Sequence, residues 1–151
     1  SLSQKFKNAS FQVQPIKAIK DKISDVDIIS SATLSKTPLV LGKYLRPGQH
    51  VDLVGAYKPN MREADDETVK KAEVYVDTYQ GGLKESGDIV IPLKSGILKE
   101  TDIKADLFEL ASQFKGGRKS AAEITMFKSV GHALEDLAAA TYYYNMFQNM
   151  R

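Results

Sequence analysis

The sequence predicts an α/β fold built on a parallel β-sheet, and two observations support that prediction. Short apolar runs rich in β-branched residues recur along the chain, and amphipathic or capped segments separate them, which is the pattern of successive βα units. Several runs are almost continuously apolar, as expected for strands buried on both faces of a sheet. The composition, 42% hydrophobic and 26% charged over 151 residues, is that of a folded domain and argues against disorder.

Five strands are predicted from these runs. The first, Phe11–Val13, is short. The other four are longer and are expected to form the interior of the sheet: Val26–Thr33, His50–Ala56, Glu73–Thr78 and Asp88–Ile91.

Three helices are predicted before the C-terminal region. Pro15–Ile23 has proline at its first position and three isoleucines on one face, which is typical of a short amphipathic helix. Asp65 is expected to cap a helix over residues 66–71. A third helix starts at residues 101–102 and ends at Gln113 or soon after, where Gly-Gly follows.

The last predicted element is a long helix. Ser120 and Glu123 have the spacing of a capping box, which predicts a helix that runs to about Gln148. Its first half is amphipathic, but apolar side chains cover every side of its second half, and such a helix must be buried. The rest of the chain is too small to bury it, so we expect a domain or subunit outside this sequence to cover it.

The start of the chain indicates that further sequence precedes it. Leu2, Phe6 and Ala9 resemble the tail of a helix, and no G-x-G-x-x-G motif is present. A doubly wound dinucleotide-binding sheet ordinarily begins with a strand, a glycine-rich turn and a helix. We therefore expect the first βαβ unit to lie upstream.

Charge and residue usage exclude several classes of protein. The 21 Lys and Arg against 19 Asp and Glu give a net charge of +2, which provides no sequence-independent hold on nucleic acid. The chain has no cysteine and therefore no disulfide, thiolate nucleophile or Cys-built zinc site. It also has neither the apolar core of a signal peptide nor an apolar stretch long enough to span a membrane. A cytoplasmic location is the default expectation.

Three polar groups are better explained by ordinary structure than by chemistry. Gly116–Ser120 resembles a phosphate loop but lacks its spacing. His132 has two carboxylates nearby in sequence, but the chain contains two histidines in all, so a surface or interfacial histidine is favoured over a metal ligand. The acidic residues within 63–67 indicate helix capping and solvated charge rather than a cation site.

Two strand ends carry the candidate binding residues. Ligands of open α/β sheets bind at the carboxyl ends of strands, where Ser31–Ser35 and Gly55–Pro59 fall. Small residues there let a flat ligand approach the backbone, and the hydroxyls of Ser31 and Thr33 can bond its polar edges. Residues of these types also form plain turns, and both interpretations remain open on spacing alone.

Six segments, in order along nearly the whole chain, resemble the ornithine cyclodeaminase/mu-crystallin family. They are Val26–Thr33, Leu45–Ala56, Arg62–Glu67, Val76–Asp77, Glu85–Asp88 and Phe127–Ala140.

The resemblance implies a two-domain subunit. Residues 1–119 would be the later part of a Rossmann-type parallel sheet that lacks its first βαβ unit. Residues 120–151 would form a helix that returns to a substrate-binding and dimerisation domain. The dinucleotide fingerprint and most substrate-binding residues would then lie upstream, so the chain alone is expected to be inactive and to bind cofactor weakly.

The resemblance also implies an NAD(P)H site at two strand ends, which Ser129 would reach from the start of the last helix. The cofactor contacts would be Ala32, Thr33, Leu34, Val54, Gly55, Ala56 and Ser129. Val130 and Gly131 would face the substrate, and no metal is implied.

Tyr57 distinguishes between activities in the family. Cyclodeaminases that this chain resembles carry an aspartate at this position as proton donor and acceptor, and a tyrosine with a pKa near ~10 is a poor general base. The stretch Gly55–Glu63 is more similar to the ketimine reductase branch. The resemblance therefore implies NAD(P)H-dependent reduction of cyclic ketimines, 1-pyrroline-2-carboxylate or 1-piperideine-2-carboxylate, to proline or pipecolate.

Two alternatives remain from the same resemblance. One is ornithine cyclodeaminase activity, which converts ornithine to proline and ammonia. The other is a non-catalytic dinucleotide-binding role like that of a crystallin. In each case a homodimer acting on, or binding, small molecules is expected, with neither nucleic acid nor a membrane as partner.

Overall fold

The computed structural model describes residues 2–6 and 9–149, and it has the expected α/β architecture. Five strands form one sheet in the order β1-β2-β5-β3-β4, and every pairing is parallel. The strands are β1 Ile28–Ser31, β2 His50–Leu53, β3 Ala72–Val76, β4 Ile103–Asp106 and β5 Ile124–Lys128.

Helices and single turns connect the strands. The α-helices are α1 Leu2–Lys5, α2 Asp66–Lys71, α3 Tyr79–Gly82, α4 Gly87–Lys94, α5 Leu107–Ala111 and α6 Ala133–Asn149. Short 3-10 turns occupy Ile19–Asp21, Gly42–Tyr44 and Glu100–Asp102. The predicted cap of α2 is confirmed, because the Asp65 side chain accepts a hydrogen bond from the Thr68 N–H at 2.8 Å.

One face of the sheet forms the core. The register places Met126 of β5 between Val51 of β2 and Val74 of β3, and all three side chains are at most 1% exposed. Ile89 of α4 is fully buried in the same cluster. Burial of each aliphatic side chain of this size stabilises the fold by about 1.5–3 kcal/mol, and this packing fixes the strands relative to one another.

The opposite face of the sheet is less covered. Here His50 pairs with Thr125 and Asp52 with Phe127, and Ile28 on the edge strand β1 is 66% exposed. Parallel sheets ordinarily have helices on both faces, so this face and the edge at β1 are open to additional chain.

Two predicted strands are wrong. Phe11–Val13 has no regular structure. Asp88–Ile91 lies inside α4, where Ser86 caps the helix by accepting the Asp88 N–H at 3.2 Å. A short apolar run does not distinguish a buried helix from a buried strand. Here the N-cap at Ser86 favours the helix. The remaining predicted strands are β1, β2 and β3, of which β1 lies at the edge rather than in the interior.

Two predicted helices are also wrong in extent. Pro15–Ile23 contains only the 3-10 turn Ile19–Asp21. Ile16 and Ile19 are 48% and 41% exposed, so the apolar face has little to pack against, and a short helix without packing is unstable. The helix predicted from residues 101–102 begins instead at Leu107, where α5 follows the edge strand β4.

The long C-terminal helix begins later than predicted. Residues 124–128 form β5, whose backbone pairs with both β2 and β3, and the β-branched and aromatic side chains of this segment suit a sheet. The residues that were expected to cap the helix form a turn instead. The Glu123 carboxylate accepts the Lys119 N–H at 2.7 Å. The helix α6 starts at Ala133.

The helix α6 has no buried residue. Its large apolar side chains, such as Leu137, Tyr143 and Phe147, are between 59% and 68% exposed. The described part of the chain therefore does not cover this helix. Within that same part, no helix combines the length and hydropathy that crossing a membrane requires.

Candidate functional site

Three neighbouring strands end at the same edge of the sheet. The Val54 N–H donates to the Ser31 carbonyl, and the Ser129 N–H donates to the Leu53 carbonyl, both at 2.9 Å. These bonds hold the segments after β1, β2 and β5 side by side. All nine residues predicted to contact cofactor or substrate lie in these segments, at 32–34, 54–56 and 129–131.

The segments after β1 and β2 contact each other at Gly55. A Cβ placed on Gly55 would overlap the backbone N and O atoms of Thr33. Glycine is therefore the residue that lets the two strand ends pack backbone to backbone.

Glu63 joins the ends of β1 and β2. Its side chain is fully buried, and Oε1 accepts the Ser31 hydroxyl at 2.7 Å and the Thr33 N–H at 2.6 Å. Oε2 accepts the N–H groups of Gly55 at 2.9 Å and Ala56 at 3.2 Å. Burial alone would raise the pKa of this carboxyl, but the hydrogen bonds outweigh it and the pKa is lowered from 4.5.

Asp77 holds the third segment in the same way. It follows β3, is 1% exposed, and its Oδ2 accepts the N–H groups of Val130 at 2.7 Å and Gly131 at 2.8 Å. The Ser129 hydroxyl donates to the same oxygen at 3.1 Å. Gly131 has φ +88°, which residues with a side chain rarely adopt.

A buried ion pair lies behind these two carboxylates. Asp88 Oδ1 accepts the backbone N–H groups of Glu63 at 2.8 Å and Ala64 at 2.9 Å. Its other oxygen, Oδ2, is 3.6 Å from Nζ of Lys128, the last residue of β5, and both side chains are fully buried. Neither Oδ2 nor Nζ has a hydrogen-bond partner. Burial raises the pKa of Asp88 and lowers the pKa of Lys128.

The accessible surface of the site is mainly apolar. Val54 is 45% exposed and Leu34 is 65% exposed, so both offer apolar side chains at the strand ends. Ala56 is fully buried, and its carbonyl accepts the Ser86 hydroxyl at 2.6 Å. Tyr57 is 43% exposed, and the Lys58 ammonium lies 5.5 Å from its ring centroid.

Four buried charged residues of this site, Glu63, Asp77, Asp88 and Lys128, did not follow from the sequence pattern. The expectation that residue 63 belongs to a solvated acidic group is wrong, because its carboxylate is the acceptor that joins two strand ends. A signal was available in the sequence. Asp77 and Lys128 each end an apolar strand run, a position that brings a charge to the ligand edge of a parallel sheet.

The other polar groups singled out from the sequence have structural roles. Arg118, in the glycine-rich segment, donates to the carbonyls of Gly48 at 2.9 Å and Gln49 at 3.0 Å. The ring of His132 packs edge-on against the ring of Phe108, and the two ring centroids are 6.1 Å apart. Among the described residues, no three His, Cys, Asp or Glu side chains are grouped so that they could hold a metal ion.

A five-stranded parallel sheet in which adjacent strands end at one edge is the architecture of a Rossmann-type α/β protein. The chain matches the ornithine cyclodeaminase/mu-crystallin family over residues 2–150. It therefore belongs to that family, as its sequence segments predicted.

Relatives in the family include reductases of cyclic imines. The chain is 41% identical over 120 residues to a Delta(1)-pyrroline-2-carboxylate reductase of Paracoccus denitrificans, covering 80% of this chain and 38% of the relative. It is 36% identical over 138 residues to the ketimine reductase mu-crystallin of Rattus norvegicus, covering 91% of this chain and 41% of the relative.

Solved structures agree with the fold. The Thermococcus litoralis Delta(1)-pyrroline-2-carboxylate reductase, in complex with NADH and L-proline, superposes with a TM-score of 0.88 at 38% identity, covering 93% of this chain and 43% of that one. A probable ornithine cyclodeaminase from Bordetella pertussis superposes with a TM-score of 0.86 at 32% identity, covering 99% and 48%. The chain thus spans less than half the length of each protein compared.

Proposed function

We propose that this chain is the C-terminal part of a subunit that reduces cyclic ketimines with NADH or NADPH. The substrates would be 1-pyrroline-2-carboxylate or 1-piperideine-2-carboxylate, and the products proline or pipecolate. The observation that carries the proposal is the similarity to imine reductases combined with Tyr57 at the position where cyclodeaminases of the family carry an aspartate.

The exposed edge of the sheet at β1 and the exposed helix α6 support a division of the subunit into two domains. The strands through β5 would belong to the Rossmann domain, and a first βαβ unit would pair with the edge strand β1, where Ile28 is exposed. The helix α6 would return to the substrate-binding and dimerisation domain, which would cover its apolar side chains. A homodimer in the cytoplasm is the proposed form of the protein. Support for dimerisation comes from an archaeal alanine dehydrogenase dimer with bound NAD, which superposes with a TM-score of 0.83 at 27% identity.

The strand ends would receive the nicotinamide ring of the cofactor. The backbone contact between Gly55 and Thr33 brings the ends of β1 and β2 together without an intervening side chain at residue 55, and the exposed side chains of Val54 and Leu34 offer apolar area beside it. Val54, Gly55 and Ala56 would lie beside the ring, with Ser129 in the same region. The other cofactor contacts would be Ala32, Thr33 and Leu34, while Val130 and Gly131 would face the substrate. When bound, the reduced cofactor supplies a hydride to the C=N carbon of the imine.

The contribution of this chain to the chemistry is orientation. Glu63 and Asp77 hold the three strand-end segments at fixed distances from one another. A ring and an imine held in that geometry react at a much higher effective concentration than free molecules. Tyr57 would shape the pocket, and the proton that the imine nitrogen requires would come from another group.

The proposal is tested with the complete subunit, meaning this chain together with the further sequence that a subunit as long as its relatives would contain. Oxidation of NADPH and NADH is measured with 1-pyrroline-2-carboxylate and 1-piperideine-2-carboxylate, and ammonia release is measured with ornithine. Oxidation with at least one imine is expected. Ammonia release without imine reduction would replace the proposal with cyclodeaminase activity, and tight cofactor binding without turnover would replace it with a binding role.

A further inference from the structure

Lys128 is a buried cation that faces three buried carboxylates. Its side chain is fully buried, and the charged groups that act on it are Asp88 from α4, Glu63 from the segment before α2 and Asp77 from the segment after β3. Each of these carboxylates is at most 1% exposed.

Each carboxylate fixes a different part of the candidate site. Glu63 binds the ends of β1 and β2, and Asp77 binds the segment after β5. Asp88 binds the backbone N–H of Glu63 at 2.8 Å and so orients the residue that joins the first two segments. Lys128 itself directly precedes Ser129 in the third segment.

Stability alone does not explain a lysine at this position. The Nζ atom makes no hydrogen bond and lies 3.6 Å from its nearest carboxylate oxygen. Burying an ammonium group in that state is unfavourable, and a well-packed apolar side chain would commonly be as stable or more so. Removing the ammonium would, however, leave three carboxylates without a buried counter-charge.

We propose that Lys128 is a positioning residue for the cofactor and substrate. Its ammonium compensates Asp88 and, through Asp88 and Glu63, keeps the ends of β1 and β2 in the arrangement that receives the nicotinamide ring. The inference rests on the proposed function, since it assigns a role within that same site.

The loss of Lys128 has a defined pH signature. Without the ammonium, the charged form of Asp88 is disfavoured further, so the pKa of Asp88, which burial already raises, rises again. Above that pKa the cluster carries an uncompensated negative charge that disturbs the strand ends. Below it, Asp88 binds a proton and the charge is relieved.

The test measures the affinity of the complete subunit for NADPH and NADH between about pH 5 and pH 9. In Lys128→Met, cofactor affinity is expected to fall roughly tenfold near neutral pH and to recover towards acid pH. In Lys128→Met/Asp88→Asn, a loss of about threefold with no pH dependence is expected, because both charges are gone. The matched control is Lys104→Met, which removes an exposed partner of Glu73 and is expected to leave affinity unchanged.

Wild-type affinity at every pH in either folded variant at residue 128 would overturn the inference. If Lys128→Met does not fold, the double variant decides. If the wild-type subunit binds neither nucleotide, the proposed function fails, and amide hydrogen exchange at Gly55 and Ala56 still tests the positioning role. Faster exchange in the double variant than in wild type and Lys104→Met would support the positioning role, and equal exchange would refute it.

Discussion

The buried carboxylate of Glu63 accepts the N–H of Gly55 at 2.9 Å, and this bond links the segment before α2 to the end of β2. The other carboxylate oxygen accepts from the end of β1. A single side chain therefore sets the spacing of two of the three segments that form the candidate site.

Replacing Glu63 tests that role. In Glu63→Gln, the amide NH2 faces backbone donors, so one or more N–H groups lose their acceptor. The free energy of unfolding is expected to fall by about 3 kcal/mol, as measured by urea denaturation. The control Glu67→Gln breaks only an exposed pair with Lys71 and is expected to change stability by less than about 0.5 kcal/mol. Equal effects of the two substitutions would contradict the account.

The same carboxylate predicts a pH dependence of stability. The pKa of Glu63 is lowered on folding from 4.5, so its contribution is fully present above pH 4.5 and is lost as the pH falls through the lower folded pKa. The stability difference between wild type and Glu63→Gln should therefore narrow below pH 4.5. Denaturation curves at several pH values measure this, and a difference that stays constant as the pH falls below 4.5 would argue against it.

The close approach at Gly55 predicts that even a methyl group is harmful there. In Gly55→Ala the added Cβ overlaps the Thr33 backbone, so the strand ends must separate, at a cost of about 1–3 kcal/mol. Gly116→Ala is the matched control, because its added Cβ meets no atom within 4 Å. Thermal unfolding of both variants measures the difference. A Gly55→Ala variant as stable as the control would show that the two segments do not need this contact.

Tyr57 is predicted to be dispensable as an acid. The ring is 43% exposed, and the proposed reaction assigns it no proton transfer. In the complete subunit, Tyr57→Phe is expected to retain kcat within about threefold, whereas loss of a general acid would lower kcat by roughly 100-fold or more. Steady-state kinetics with 1-pyrroline-2-carboxylate distinguish the two results.

The sequence predicted the parts of the fold that local pattern determines. The strands β1, β2 and β3 and the Asp65 cap follow from apolar runs and capping chemistry. The strand β5 was not predicted, because residues 120–123 have the spacing of a helix cap. The segment forms a strand because it pairs with both β2 and β3. Long-range pairing of this kind is not visible in local propensity.

The candidate site divides in the same way. The strand ends at Thr33 and Gly55 were predictable, because ligands of parallel sheets bind at that edge. The buried charge of Glu63 was not, because burial depends on which distant segments close over a residue. An acidic residue beside a helix cap has the same local pattern whether it is solvated or buried.

The most direct test of the account follows the hydride itself. The complete subunit is incubated with 1-pyrroline-2-carboxylate and NADPH carrying deuterium at both C4 positions of the nicotinamide, and the proline formed is examined by mass spectrometry and NMR. The account predicts proline with deuterium at Cα, formed in proportion to the cofactor oxidised. No labelled proline from the imine, together with proline and ammonia from ornithine without net cofactor consumption, would contradict it.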